Sequence, residues 1–323
     1  MRMKATWTFG RTTGAATAVV LAAFVLVSEG NAQTVTVDIG GGVTMDMVWI
    51  APGSFTMGQN NLMAEFGDWI GTTERWVTLT RGFHMGVHAV TQEQFYAVMG
   101  VNPSWFDGSA GWEPAEGEAQ GKRPVENVNW YHAIAFANRL SILQGLEPVY
   151  SIAGMSNTDA DAWLFENVPV DWGGPRRATW DAVTANWNAN GFRLATEAEW
   201  EFAARAGTAT EWSFGNNAAN LGHYAWYGVC CCDGGMTRQV GQKRPNAWGL
   251  YDMHGNVWEW VWDLWGIPGT VPTTDPTGPA AGDFRVSRGG CWGYPSGSAR
   301  SAIRSVTIPA ERVHNIGFRV VRP

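Results

Sequence analysis

The spacing of apolar and polar positions changes several times along the chain, and each change marks a predicted element. Thr34 to Val43 alternates, and Met47 to Ile50 is an apolar run stopped by Ala51-Pro52-Gly53. Two short strands with a turn after the second are the simplest reading. Trp76 to Leu79 and Phe83 to Val87 repeat the alternation ahead of Thr91-Gln92-Glu93-Gln94. That tetrapeptide is a capping box, in which Thr91 accepts from the Gln94 amide while the Gln94 side chain reaches back. Phe95, Val98 and Met99 continue as one helical stripe, with Asn102-Pro103-Ser104 as the expected stop. A second helix is predicted after Asn129, with Ile134, Ala137, Leu140 and Ile142 inward and Gly145 near its end. A third starts at Thr196, paired with Glu199 in another capping box, and ends before Gly207.

The intervening stretch Ser151 to Asn190 is polar, bears tryptophans and has little period, which predicts a long ordered excursion. Beyond Gly207, Gly215-Asn216-Asn217, Asp233-Gly234-Gly235 and Arg244-Pro245-Asn246 punctuate turns and short strands. Val257 to Asp263 alternates strictly, with Trp258, Trp260 and Trp262 on one face and Glu259, Val261 and Asp263 on the other. No internal repeat or low-complexity linker offers a boundary. One α+β domain with low regular secondary structure is the economical reading.

Composition agrees: forty glycines, twenty tryptophans and 16% charged residues describe a chain that turns often and buries aromatic plates. A net charge of −7 without basic runs excludes a phosphate-binding surface, so no nucleic acid partner is expected. Residues 1–32 read as a secretory signal: Arg2, Lys4 and Arg11 precede the apolar run Ala15 to Val27, and Gly30 and Ala32 complete a cleavage pattern. The competing reading is an uncleaved anchor, although the run is short for a bilayer. The expected mature domain is therefore 33–323, exported to the periplasm or secreted, and not membrane-spanning after signal cleavage. In that oxidising setting one disulfide from Cys230, Cys231 or Cys232 to Cys291 is expected, and a metal site at the triplet is the sharper alternative. The six histidines are scattered rather than spaced as ligands, and no phosphate loop is present.

Several blocks together resemble the formylglycine-generating-enzyme, or sulfatase-modifying factor, superfamily. They are Met47-Val48-Trp49-Ile50-Ala51-Pro52-Gly53-Ser54-Phe55-Thr56-Met57-Gly58, Val90 to Phe95, Arg123 to Trp130, Gly191 to Glu201, Asn246 to Trp260, Arg288-Gly289-Gly290, and Asn315-Ile316-Gly317-Phe318-Arg319. The resemblance runs over most of residues 45 to 322. It implies a C-type-lectin-like fold and a structural calcium held by side-chain oxygens of Asp252 and Glu259 and carbonyls of Gly255 and Val257. A hard ion taking six to eight oxygens suits such donors. The bland alternative is a turn aspartate and a strand glutamate on a solvated face. A further calcium site of the family is not carried over to Asp233, because the cysteine triplet beside it obscures the alignment.

Enzyme activity in that superfamily implies two cysteines near the glycine pair, binding copper as soft ligands. Here the stretch reads Cys291-Trp292-Gly293-Tyr294-Pro295-Ser296-Gly297-Ser298-Ala299-Arg300, and the two positions fall on Tyr294 and Ala299. A gapped alignment puts Cys291 at one position and Ser296 at the other. Copper is therefore not expected, and Cys291 is a catalytic candidate only if the chain is an enzyme. The favoured reading is an extracytoplasmic lectin-like binding protein whose ligand surface spans 291–308. Trp292, Tyr294, Ser296, Ser298, Arg300, Ser305 and Thr307 are its candidate contacts to a protein or glycan, because aromatic and small hydroxyl residues give rigid area and adaptable hydrogen bonds. Three alternatives remain: a formylglycine-generating or other oxidoreductase acting on an exported protein or siderophore precursor, a retroelement-diversified variable receptor, and a structural envelope protein.

Overall fold

Three consecutive glycines turn the N-terminal alternation into a hairpin. In the computed structural model β1 (Thr34–Gly40) and β2 (Val43–Ile50) pair antiparallel. Gly40, Gly41 and Gly42 all take positive φ, which side-chain-bearing residues rarely adopt, so the strand expected to reach Val43 ends at the turn. The structure describes residues 34–59, 73–170, 175–229 and 235–323. The leader expected over 1–32, the triplet Cys230, Cys231, Cys232 and Asp233 lie outside the described residues. All described residues belong to one compact unit, 32–323.

The hairpin joins a five-stranded sheet of order β1-β2-β5-β14-β8, with β5 (Phe83–Gly86), β8 (Arg193–Leu194) and β14 (Val320–Arg322). The first strand and the last thus share one sheet. A three-stranded sheet holds β3 (Gly53–Met57), β4 (Arg75–Leu79) and β10 (Thr273–Thr274), with β4 central. A four-stranded sheet, order β12-β11-β9-β13, contains β9 (Trp258–Leu264), β11 (Arg285–Arg288), β12 (Arg304–Thr307) and β13 (Ile316–Phe318). The short strands β6 (Tyr150–Ser151) and β7 (Thr184–Ala185) brace the predicted excursion.

The predicted caps form. Helix α1 (Gln92–Met99) opens with the Thr91–Gln94 box, but Gly100, at φ 75°, ends it two residues before the predicted stop. Its left-handed cap leaves its amide on the Tyr96 carbonyl at 2.8 Å. Helix α2 (Trp130–Leu143) is capped by Asn129, and His132 takes the place usually held by Glu or Gln in the box. Its buried face, including Trp130, Ile134, Ala137 and Leu140, lies in the main core with Phe95, Trp260 and Phe318. A short helix α3 (Pro175–Asp181) lies within the excursion.

Helix α4 (Glu197–Arg205) keeps the Thr196–Glu199 box and is buried along its length. Its three glutamates each meet arginine: Glu197 with Arg304 at 2.5 and 2.9 Å, Glu199 with Arg193 at 2.6 and 2.7 Å, and Glu201 with Arg205 at 2.8 Å and with Arg288. Such pairing offsets the cost of burying a charged carboxylate. The strict alternation of β9 survives, with its tryptophans in the main core and Val261 in a second cluster under α4. The opposite face is not solvated: Glu259 and Asp263 are buried. Each face of β9 packs on one of the two clusters, so neither is left to water.

Candidate functional site

The expected binding segment leaves β11 through Gly289 and Gly290, at φ 98° and 77°. A Cβ on Gly290 would stand 3.0 Å from the Ser298 carbonyl oxygen, so the sharp departure requires glycine. The chain is then held by its backbone. The Trp292 amide donates to Asn256 O at 2.9 Å, Val229 N to Trp292 O at 3.0 Å, and Gly228 N to Tyr294 O at 2.8 Å. A 3-10 turn over Ser296–Ala299 follows, and the Ser301 amide reaches Glu211 O at 2.8 Å. The segment ends in β12, an edge strand paired only with β11.

The seven candidate contacts divide. Tyr294 stands 46% exposed, its ring edge-on to Trp258 at 5.9 Å. Ser296 and Ser298 are partly exposed on the turn, and Ser305 and Thr307 are partly exposed at alternate positions of the edge strand. Trp292, by contrast, is only 4% exposed. It packs edge-on against Phe106 at 5.5 Å and beside His314 at 5.8 Å, so it forms floor rather than contact surface. Arg300 is drawn inward, ion-paired with Glu211 at 3.0 Å and lying over Trp212.

Sequence reasoning missed the neighbours. Trp105, 55% exposed, lies 6.3 Å from His314 beside the Trp292 floor. Its loop is pinned by buried Glu126, whose oxygens accept from the Trp105 and Phe106 amides at 3.1 and 2.9 Å. Burial pushes the Glu126 carboxyl up to about 8, against the pull of those amides and of Arg123. A 230 Å³ pocket opens beside Trp292, lined also by Trp226, Tyr227, Met236 and Arg238. Arg238 and Lys243 lie over Trp226, 4.3 and 3.8 Å from its ring centre. None of these residues carries a spacing that would have revealed it; only the fold brings them to one surface.

Cys291 is a free, buried thiol, so the expected bridge is replaced by packing. Its side chain meets Asn315 and the backbone of Gly293 and Tyr294, and burial pushes the thiol up to about 12. Of the positions corresponding to a copper pair, Tyr294 points outward and Ala299 is buried.

The expected calcium donors lie at the turn into β9. Asp252 takes φ 57° and is buried; its Oδ2 accepts from the Gly241 amide at 2.8 Å, while Oδ1 has no hydrogen-bond partner. Burial raises its carboxyl to about 6, opposed by the Gly241 amide and Arg319. Glu259 is more committed. Its Oε2 accepts from Trp200 Nε1 and Arg319 Nε, both at 2.7 Å, and Oε1 accepts from Arg319 Nη2 at 2.7 Å. Gly255 sits beneath the Trp226 carbonyl, where a Cβ would come within 2.3 Å. No group of three or more acidic, histidine or cysteine side chains suited to a metal occurs among the described residues. Of the expected side-chain donors, Asp252 keeps Oδ1 without a hydrogen-bond partner among the described residues, whereas Glu259 has both oxygens committed to Trp200 and Arg319.

No helix among the described residues is long and apolar enough to cross a membrane.

Against known proteins, the sulfatase-modifying factor enzyme 1-like domain family matches residues 40–323. A chaperone protein LppX from Paenibacillus barcinonensis is 33% identical over 265 residues, which cover 77% of this chain and 79% of that protein. The formylglycine-generating enzyme of Streptomyces coelicolor is 39% identical over 157 residues, covering 44% of this chain and 50% of the enzyme. Among solved structures, Treponema denticola variable protein 1 superposes with a TM-score of 0.79 at 42% identity, covering 90% of this chain and 99% of that one. The mixed fold, with 21% helix and 23% strand, is that of these relatives. With a match that reaches from the first hairpin to the last strand, the chain belongs to the sulfatase-modifying factor enzyme 1-like family.

Proposed function

We propose that this member of the family is an extracytoplasmic, lectin-like binding protein that presents the 291–308 segment to a protein or glycan ligand. The observation that carries the reading is the contrast within that segment: its backbone is hydrogen-bonded on both sides, yet Tyr294 projects 46% exposed beside partly exposed Ser296 and Ser298. A rigid backbone with an outward aromatic side chain lowers the ordering cost of recognition. Calcium at Asp252, Gly255, Val257 and Glu259 would clamp the turn leading into β9 and hold the floor of this surface; its role there is structural.

The test is capture of glycans and exported proteins from a displayed panel by the purified protein and by Tyr294→Ala. Specific capture that disappears in the variant, with the melt unchanged, supports the reading. Capture that survives removal of Tyr294, Ser296 and Ser298 together moves the ligand elsewhere.

Similarity to the Treponema denticola variable protein supports a second reading, in which this segment is diversified. A template repeat beside the gene would support it, and identical segments across many isolates would remove it. The oxidoreductase reading requires a second thiolate beside a Cys291 whose thiol is pushed up to about 12. Stoichiometric copper lost in Cys291→Ser, with oxygen uptake on a cysteine peptide, would restore it.

A further inference from the structure

A second cavity is lined by the loop 266–279 and by charged side chains from four elements. Its volume is 450 Å³, and its lining includes Arg75 of β4, Glu197 of α4, Asp263 of β9 and Arg304 of β12. That size lies within the range of about 300–1,000 Å³ typical of small-molecule sites.

The loop that walls it is preformed. Asp275 accepts from the Thr80 amide at 2.8 Å and from its hydroxyl at 2.5 Å, and its own amide donates to Thr78 O at 2.9 Å. Strand β10 runs parallel to β4. Gly278, at φ 81°, lies so close over Asp263 that a Cβ there would be 2.8 Å from the Asp263 Cβ. The cavity is thus built before any ligand arrives, which spares the cost of ordering it.

Its charges are not all used. Glu197 and Arg304 hold each other bidentately, and Arg304 also donates to Gly266 O at 2.8 Å. Asp263 gives Oδ2 to the Glu197 amide at 2.7 Å and makes no ion pair among the described residues. Among the described residues Arg75 donates to the thioether sulfur of Met57, at 3.2 Å, and has no carboxylate partner. One guanidinium and one carboxylate therefore line the same cavity without pairing with each other. Thr273 adds a hydroxyl without a hydrogen-bond partner. Thr274 and Thr277 also line the cavity, and the apolar part consists of Pro268, Pro276 and Pro279 with Ile267 and Val271, left 68% and 71% exposed.

We propose that this cavity binds a small zwitterion of the α-amino-acid class with an apolar side chain, its carboxylate on Arg75, its ammonium on Asp263, and its side chain against Ile267 and Val271. A planar guanidinium matches a carboxylate with two parallel hydrogen bonds. The buried Asp263 carboxylate takes an ammonium, and the low local dielectric strengthens both contacts. A simple anion leaves Asp263 unmet, and a simple amine leaves Arg75 unmet.

The pH behaviour follows from the groups facing Asp263: Glu197 and Glu199 of α4, Arg304 of β12 and Arg75 of β4. Burial first, then the Glu197 charge, push the Asp263 carboxyl well above the usual carboxylate range. An arriving ammonium favours the ionised form, so binding releases a proton and weakens as the pH falls.

Calorimetry of the purified protein with L-leucine, isovalerate and isoamylamine tests the assignment. Saturable heat is expected for L-leucine, with the two single-charge analogues at least tenfold weaker and the leucine affinity several-fold lower at pH 6 than at pH 8. Arg75→Gln, which among the described residues gives up one side-chain hydrogen bond, to Met57, should retain the parent melt and lose leucine binding at least tenfold. Asp263→Asn removes an α4 cap contact as well, so its melt is measured first. Tyr294→Ala should leave leucine binding unchanged, because Tyr294 does not line this cavity. The assignment is overturned if leucine gives no saturable heat at 10 mM, if either analogue matches it, if Arg75→Gln binds as the parent does, or if Tyr294→Ala abolishes binding.

Discussion

Helix α4 and the 291–301 loop use the same residue classes in opposite ways. In the helix, Glu197, Glu199 and Glu201 are buried and each is matched by an arginine from another part of the chain or the next turn. In the loop, the backbone makes the long-range contacts while Tyr294, Ser296 and Ser298 face outward. The helix fixes geometry through side chains that cannot be exchanged singly. The loop inherits that geometry and leaves its side chains replaceable. A scaffold of this kind can carry many recognition surfaces, because recognition and stability are assigned to different atoms.

The most severe way to break this division is to remove one arginine from the buried set. Arg319 holds both oxygens of Glu259 and also donates to Gly86 O at 3.0 Å and Tyr251 O at 2.9 Å. Arg319→Ala leaves Glu259 charged, buried and bonded only to Trp200, a loss of about 3–5 kcal/mol by analogy with other broken buried pairs. Urea unfolding measures it. A midpoint equal to that of the parent would mean that the buried pairs do not set the frame.

Calcium sharpens the same boundary, since its proposed donors lie between scaffold and surface. Saturation at 100 times the dissociation constant would stabilise the protein by about 2.7 kcal/mol, and Asp252→Asn should abolish the gain. The sign with pH is fixed by Asp252, whose folded pKa is raised to about 6. Without the ion, the protonated carboxyl contributes stability that is fully present below its unfolded value and is lost as pH rises through about 6. The ion needs the ionised form, so its stabilisation is full above pH 6 and fades below it. Melts with calcium and with chelator at pH 7.5 and 5 separate the two cases; equal melts under all four conditions would remove calcium from this turn.

A smaller loss is expected at the edge of the helix. Thr196 accepts from the Glu199 amide at 3.2 Å, and Glu199 returns the bond to the Thr196 amide at 2.8 Å. Thr196→Ala should cost about 1 kcal/mol, read from the same urea midpoint. A loss as large as that of Arg319→Ala would mean that the cap, and not the ion pairs, positions α4.

Local rules made much of this molecule legible in its sequence. The boxes at Thr91 and Thr196 were readable because both partners lie within four residues, and the alternation of β9 was readable because its period is two. What stayed hidden depends on contacts distant in sequence. Nothing near Glu259 announces Arg319, sixty residues later, and a strand glutamate in isolation reads as solvated. Trp292 reads as a contact residue until Phe106 and His314 are seen to cover it. Cys291 invites a disulfide until its buried surroundings are known. The candidate surface was bracketed along the chain by the flanking glycines and the terminal motif, and within it Tyr294 is exposed and Ser296 and Ser298 are partly exposed. Which side chains within it face outward was set by tertiary packing.

The gentlest change tests the division most directly. Replacing Tyr294 by alanine removes one edge contact with Trp258 and, among the described residues, no side-chain hydrogen bond, while the Gly228 and Cys291 backbone bonds to residue 294 remain available. The stability change should stay within about 0.5 kcal/mol, as for surface positions that hold no special contact. Ligand capture, however, should fall at least tenfold, since exposed aromatic anchors carry a disproportionate share of binding energy. The outcome pairs two measurements on one protein, a urea midpoint and a capture titration. A large stability loss would show that Tyr294 belongs to the frame, and an unchanged titration would show that the surface it dominates is not where the ligand sits. Separation of the two effects is the behaviour expected of a loop whose backbone is scaffold and whose side chains are not.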